Sequence, residues 1–152
     1  MSDAVAGPVS GPCVVDASTA LKWVLQEEGS EAAVTLLDGR PLYAPALIFV
    51  EVANALWSAV RRQRLLPEEA ADALDLITRA PLRQGAEDAS LAQRALQLSL
   101  LLDHPVYDCS YLALAMRQEV PVVTADRRFV RAAAAVPEAA PFVRLLGDPA
   151  AH

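Results

Sequence analysis

Four acidic side chains occupy positions at which parallel-sheet proteins often place binding groups. Asp16 and Asp126 each follow a short apolar run rich in β-branched residues. Asp108 directly precedes an apolar segment, and Glu51 lies within another one. If both runs are strands of one parallel sheet, Asp16 and Asp126 lie at its carboxyl edge, where open α/β sheets bind ligands. Asp108 and Glu51 could meet them there from helices.

A cluster of carboxylates predicts a bound cation, because like charges a few ångströms apart raise one another's pKa. A hard divalent cation removes that cost, and oxygen ligands suit Mg²⁺ or Mn²⁺. A zinc site rich in histidine or cysteine does not compete, since the only histidines are His104 and His152. Each acid also has an ordinary alternative. The aspartates could cap or charge helix starts, and Glu51 could face solvent.

Strands and helices alternate along the chain, and their order predicts how the acids are positioned. Strands are expected over 13–15, 42–44, 120–124 and 142–146, with a short extended link over 81–84. Helices are expected over 18–26, 30–38, 45–64, 67–79, 86–101 and 108–117, with a further helix opened by residues 125–129. Strands separated by helices imply parallel β-α-β units. We therefore predict an α/β fold in three layers, α/β/α, with a central parallel sheet.

The bulk properties indicate one globular domain. The chain has 152 residues, and we expect a domain over 12–146, a flexible arm over 1–11 and a tail over 147–152. A net charge of −6 argues against holding long duplex nucleic acid by charge alone, although a nuclease with a cation-binding site stays open. Apolar runs are too short to span a bilayer and no secretory leader opens the chain, so a cytoplasmic location is expected.

Four segments have the order and spacing of one protein family. They read VVDASTALKWVL (14–25), APALIFVEVANALW (44–57), VYDCSYLALA (106–115) and VVTADRRF (122–129). Together they resemble the PIN-domain family, and most closely the VapC-type toxin ribonucleases of bacterial toxin–antitoxin pairs. The resemblance covers nearly the whole chain from Cys13 to Leu146. It implies an acidic site whose members are Asp16, Glu51, Asp108 and Asp126.

The same resemblance implies a function, a cofactor and partners. The expected protein is an endoribonuclease, the toxin of a type II pair, that uses Mg²⁺ or Mn²⁺ to hydrolyse phosphodiester bonds in single-stranded or looped RNA. Asp16 and Asp126 would hold one ion directly, and Asp108 would bind it directly or through water. Glu51 would place a second ion or orient the attacking water. A homodimer and a small cognate antitoxin that occludes the site are also implied.

Several other residues have two interpretations each. Ser18 and Thr124 lie two residues from an acid, where their hydroxyls could bond a ligand carboxylate or water. Helix capping for Ser18 and strand-end packing for Thr124 are the alternatives. Arg127 and Arg128 follow an acid and could contact phosphates, or could be solvated.

Part of the longest expected helix, 45–64, could contact a partner. Its apolar face is expected to comprise Leu47, Val50, Ala53, Asn54 and Trp57. Trp57, together with Leu56, could form a dimer seam or receive an antitoxin helix. Burial of this face in the core is the alternative.

Cys109 departs from the resemblance, since alanine is usual after the motif aspartate. Its thiol could bind a soft metal, but we expect it, like Cys13, to pack in the core. Two other classes of enzyme or signalling domain fit less well. A phosphatase of the haloacid-dehalogenase type would need an aspartate where this chain has Ser18, and a receiver domain would need an early acid pair and a late lysine. A catalytically inert PIN-like module that acts through a protein partner stays as the alternative.

Overall fold

The computed structural model describes residues 10–85 and 88–147. The expected arm over 1–11 and tail over 147–152 therefore fall almost entirely outside the described residues. The expected helix start at residue 86 also falls outside them, and the described helix there begins at Ala89. In the described part of the chain, no helix is both long and apolar enough to cross a membrane.

A sheet of five parallel strands forms the centre of the fold, in the order β3-β2-β1-β4-β5. The strands are β1 Cys13–Val15, β2 Leu42–Ala44, β3 Leu82–Gln84, β4 Val122–Thr124 and β5 Val143–Leu145. The chain leaves the central strand β1 towards β2 and β3, and returns on the other side for β4 and β5. The carboxyl ends of β1 and β4 therefore flank the point where the strand order reverses, which is where ligands bind in open α/β sheets.

Helices connect these strands and cover the sheet, which confirms the predicted α/β fold with a central parallel sheet. They are α1 Ala17–Val24, α2 Ser30–Thr35, α3 Leu47–Arg61, α4 Pro67–Thr78, α5 Ala89–Leu102, α6 Val106–Gln118 and α7 Arg127–Ala134. A short 3₁₀ turn, Ala140–Phe142, precedes β5. All residues of β1 and β4 are buried, as expected for strands covered on both faces.

The expected element ends differ from the described ones by up to three residues. Helix α3 stops at Arg61 because Gln63 adopts a left-handed φ of 61°, which a continuing helix does not allow. Helix α6 begins at Val106, so Asp108 lies within its first turn rather than at its start. The expected extended link over 81–84 contains the edge strand β3, which pairs with β2.

The predicted apolar face of α3 is wrong. Its buried residues are Ile48, Val52 and Leu56, which are spaced four apart and contact the core. Val50 is 69% exposed and Trp57 is 55% exposed, so both lie on the outer side. This helix is apolar on most sides, so several sets of residues at helical spacing could form its buried face. The approach of the helix to the sheet decides between them, and the sequence pattern does not contain that information.

Candidate metal centre

Asp16 follows β1 and caps the amino end of α1. Its Oδ1 accepts hydrogen bonds from the Thr19 amide at 3.0 Å and from the Ser18 hydroxyl at 2.7 Å. The capping role considered as an alternative is therefore present. However, the residue is only 3% exposed, whereas a cap needs no such burial. A buried carboxylate is costly unless other groups compensate its charge.

The electrostatic environment of Asp16 opposes ionisation. Burial raises the pKa of its carboxyl from 3.8 to about 6. Hydrogen bonds from Thr124, Ser18 and the Thr19 amide act against this shift, and the charge of Asp108 adds to it. A cation placed beside Asp16 would favour the ionised carboxylate and lower its pKa. A raised pKa is therefore the direction expected of a metal ligand without its metal.

A hydroxyl network joins the ends of β1 and β4 around Asp16. The Ser18 hydroxyl accepts a hydrogen bond from the Ala125 amide at 3.0 Å and lies 3.4 Å from the Thr124 hydroxyl. The Thr124 hydroxyl in turn accepts from the Asp126 amide at 3.0 Å. Both hydroxyls therefore lie among the acids. Ser18 contacts a carboxylate directly, and Thr124 contacts the backbone of the other motif aspartate.

Asp126 begins the next helix and remains half-buried beside this network. Its Oδ1 accepts a hydrogen bond from the Arg128 amide at 2.9 Å, so it caps α7. The Arg128 guanidinium is 82% exposed and its Nε lies 3.9 Å from the same carboxylate oxygen. Arg127 is exposed on the same turn and lines a small pocket with Lys22. Both arginines thus lie at the carboxyl edge of the sheet.

Asp108 is held by a histidine that precedes α6. The Nε2 atom of His104 lies 2.7 Å from Oδ2 of Asp108. Burial raises the pKa of Asp108, and the charge of Asp126 adds to the rise, while His104 acts against it. In the described residues, one set of three ligand-type side chains has its atoms within 4.8 Å of one another, and it comprises His104, Asp108 and Asp126.

Glu51 faces the same acids from α3 and does not point only to solvent. The buried Tyr111 hydroxyl donates a hydrogen bond to Oε1 of Glu51 at 2.6 Å. Burial raises the pKa of Glu51, the Tyr111 bond opposes this, and the charges of Asp108 and Asp16 add to the rise. Glu51 and Asp16 therefore share a site with Asp108, although neither belongs to the compact set of three.

His104 and Tyr111 are the site residues that sequence reasoning missed. Asp108 and Tyr111 are three residues apart and lie on one side of α6, and His104 lies two residues before that helix begins. That spacing was a usable signal around a motif aspartate. The contact between Tyr111 and Glu51 could not be predicted from spacing, since the two residues lie 60 positions apart along the chain.

The donor set fits a hard or borderline divalent cation. Its oxygens come from four carboxylates, three of which have pKa values raised by burial and by one another's charge. Oxygen donors of this kind suit Mg²⁺ or Mn²⁺, and the single imidazole nearby is compatible with Mn²⁺.

The two cysteines are free and buried, and neither belongs to this set. Burial raises the pKa of the Cys109 thiol to about 11, so it is protonated at neutral pH. Its Sγ lies 3.8 Å from the His104 carbonyl oxygen. Packing, as expected, accounts for Cys109.

Comparison with known proteins connects this geometry to a family. The family model described as PIN domain matches residues 13–135. Ribonuclease VapC12 of Mycobacterium tuberculosis is 34% identical over 118 residues, which are 78% of this chain and 89% of the relative. Ribonuclease VapC3 of Pyrobaculum aerophilum is 32% identical over 117 residues, 76% of this chain and 89% of the relative.

A solved structure shows the same fold at lower sequence identity. It is VapBC2 from Rickettsia felis, bound to a DNA fragment from its promoter. The superposition has a TM-score of 0.62 at 11% identity, and it covers 89% of this chain and 98% of that chain. At this identity the likeness concerns the fold.

Proposed function

Because the chain belongs to the PIN-domain family, we propose that it is a metal-dependent endoribonuclease, the toxin of a type II toxin–antitoxin pair. The observation that carries this proposal is the buried Asp16 at the strand-order reversal, together with the close approach of Asp108 and Asp126. Relatives over three quarters of the chain are named ribonucleases. The substrate is RNA in the cytoplasm, and the reaction is hydrolysis of a phosphodiester bond.

The four acids would form the site of a divalent cation, Mg²⁺ or Mn²⁺, in which three would bind the ion and one would orient the reactants. Asp16, Asp108 and Asp126 would be the ligands, and Glu51 would orient a water molecule or support a second ion. A divalent cation in such a site lowers the pKa of water and neutralises the charge that develops on the phosphate. No serine or cysteine nucleophile is needed, because water attacks the phosphorus.

The surrounding hydroxyls keep these acids in position. Ser18 donates to Oδ1 of Asp16 at 2.7 Å and so helps to fix the orientation of this carboxylate. Thr124 accepts from the Asp126 amide and so fixes the turn that carries that carboxylate. Groups that orient ligands in this way commonly change metal affinity when they are removed.

Arg127 and Arg128 contact the phosphates on either side of the cleaved bond. They are exposed at the edge that carries the acids, where a negatively charged chain needs positive charge. Arg62 provides a matched control, because it caps the far end of α3, eleven residues beyond Glu51 or about 16 Å along the helix axis. We expect Arg128→Ala to weaken RNA binding several-fold and Arg62→Ala to leave it unchanged, as measured by fluorescence anisotropy with a labelled RNA. Equal effects would remove Arg128 from the RNA surface.

A protein partner, the cognate antitoxin, binds the groove between α3 and α4. This groove of about 290 Å³ is lined by Ala53, Leu56, Trp57, Val60, Pro67, Ala70, Ala71 and Leu74. All of its lining residues are apolar, and the exposed Trp57 forms one wall. An amphipathic helix from a partner would bury this surface.

A second apolar surface supports a homodimer. It consists of Leu96, Leu100 and Leu101 on the outer side of α5, and Leu100 is 76% exposed. Leu100→Glu should shift the protein to monomer in light scattering, and Trp57→Glu should leave its mass unchanged. A wild-type monomer would contradict the dimer.

The alternative function is a catalytically inert PIN-like binding module that acts through its partner. Loss of activity usually removes a ligand, whereas all four acids are present here. The burial of Asp16 would also be costly if no cation had to be bound, since an amide or an apolar residue would fold better at the same place.

Cleavage of a mixed pool of structured RNAs tests the proposal. Wild type and Asp16→Asn are compared with Mg²⁺ or Mn²⁺ and with a chelator. We expect metal-dependent cleavage by the wild type that the variant loses, because the substitution keeps the size of the side chain and removes one ligand charge. Cleavage that survives Asp16→Asn unchanged would contradict the assignment. A folded wild type that cleaves nothing in the pool and binds no Mn²⁺ would favour the inert module.

A further inference from the structure

We propose that His104 is a positioning residue of the metal centre, whose Nε2–H holds one oxygen of Asp108 so that the other oxygen is presented to the cation. The inference rests on the proposed cation site and adds to it a residue outside the acidic set. The observation that carries it is the 2.7 Å contact between Nε2 of His104 and Oδ2 of Asp108.

The direction of this hydrogen bond follows from the chemistry of the two groups. An ionised carboxylate only accepts hydrogen bonds, so the hydrogen in this contact must lie on Nε2 of His104. The bond therefore forms with either the neutral or the charged imidazole. It occupies Oδ2 of Asp108 and leaves Oδ1 as the oxygen that is free to bind a cation.

The imidazole is held by one further contact, and the backbone of the same residue is also fixed. Its ring stacks on the buried Phe129 ring, with centroids 5.1 Å apart and planes inclined by 10°. The His104 carbonyl accepts a hydrogen bond from the Ser99 hydroxyl of α5. The His104 side chain is only 10% exposed. A buried side chain whose ring is stacked in this way can transmit its own position to the carboxylate that it contacts.

Asp108 requires such an anchor because its carboxylate can rotate easily. The terminal torsion of aspartate is broad and roughly two-fold, so the backbone alone does not fix which oxygen faces the site. The charge of Asp126 also acts on Asp108 and would favour rotation away from the shared centre. The hydrogen bond from His104 opposes that rotation before any cation arrives.

Two substitutions separate this role from ordinary packing. His104→Phe keeps an aromatic ring against Phe129 and removes the N–H donor. His104→Gln keeps an N–H donor at a similar reach and removes the ring. If His104 only packs, His104→Phe should bind Mn²⁺ as tightly as the wild type, and His104→Gln should bind it more weakly. If His104 positions Asp108, His104→Gln should retain the Mn²⁺ affinity and His104→Phe should lose it.

The readout is the dissociation constant for Mn²⁺ without RNA, obtained by electron paramagnetic resonance of the free ion during a titration. We expect His104→Phe to weaken Mn²⁺ binding about 10–100-fold, which is the usual effect of losing such an orienting partner. His104→Gln should stay within about threefold of the wild type. Thermal unfolding in chelator shows that both variants are folded.

Three results would overturn the inference. The first is a His104→Phe variant with wild-type Mn²⁺ affinity. The second is a loss of Mn²⁺ and Zn²⁺ affinity in both variants with Mg²⁺ affinity unchanged, since that pattern would make the imidazole a direct ligand. The third is a wild type that binds no Mn²⁺, which would refute the proposed cation site itself. In the first two cases the wild type still binds Mn²⁺, so these results would refute only the role of His104.

Discussion

Replacing Asp16 by asparagine is expected to stabilise the metal-free protein at neutral pH, although it removes a ligand. Asparagine keeps an oxygen that can accept the hydrogen bonds from the Thr19 amide and the Ser18 hydroxyl, and it is as good a helix cap as aspartate. The substitution therefore removes the buried charge with little change in contacts.

The size of the effect follows from the pKa of the Asp16 carboxyl. Folding raises it from 3.8 to about 6, so the folded protein binds this proton more tightly than the unfolded chain does. The contribution to stability is fully present below about pH 4 and is lost as the pH rises through 6. A shift of about 2 units at 1.36 kcal/mol each makes the charged Asp16 cost about 3 kcal/mol above pH 7.

Urea unfolding of metal-free wild type and Asp16→Asn at several pH values measures this cost. The variant should be more stable by about 3 kcal/mol at pH 7.5, and the two proteins should converge towards pH 4. Saturating Mn²⁺ should stabilise the wild type and have little effect on the variant. A variant that is equally or less stable at pH 7.5, or a difference that does not change with pH, would refute the electrostatic argument.

Further predictions concern pH, Tyr111 and Cys109. The dissociation constant for Mn²⁺, measured by calorimetry, should rise about tenfold per unit as the pH falls below 6, because the cation must displace a proton from Asp16; a constant affinity between pH 5 and 7 would contradict this. Tyr111→Phe should lower the free energy of unfolding by about 1.5–3 kcal/mol in urea, since Glu51 loses its hydrogen bond; an unchanged midpoint would contradict a role for that bond. Cys109→Ala should leave both Mn²⁺ and Zn²⁺ affinity unchanged in the same calorimetric titration, because the thiol packs in the core; weaker Zn²⁺ binding would make it a ligand.

The parts of the fold that depend on local pattern could be predicted. The buried strands β1, β2 and β4 are short apolar runs bounded by turn residues, and that pattern has few competing interpretations. The edge strand β3 was expected only as an extended link, because its residues are partly exposed and include Arg83 and Gln84. Its pairing with β2 depends on the neighbouring strand rather than on its own composition.

The same distinction between local pattern and tertiary contact applies to the candidate site. The four acids could be named from strand ends, helix starts and the resemblance to a family. The contacts that hold them could not be named from local pattern alone, because Glu51 meets Tyr111 and Ser18 meets Ala125 only after the chain has folded. His104 was overlooked because one histidine suggests no metal set until Asp108 is seen beside it.

The most direct test of the account is the location of the cation itself. Crystals of the protein soaked in Mn²⁺ would give an anomalous diffraction signal that locates each bound ion. We predict a peak in contact with the carboxylates of Asp16, Asp108 and Asp126, and the loss of that peak in Asp16→Asn. A Mn²⁺ peak elsewhere on the molecule, with none among these acids, would contradict the proposed metal centre.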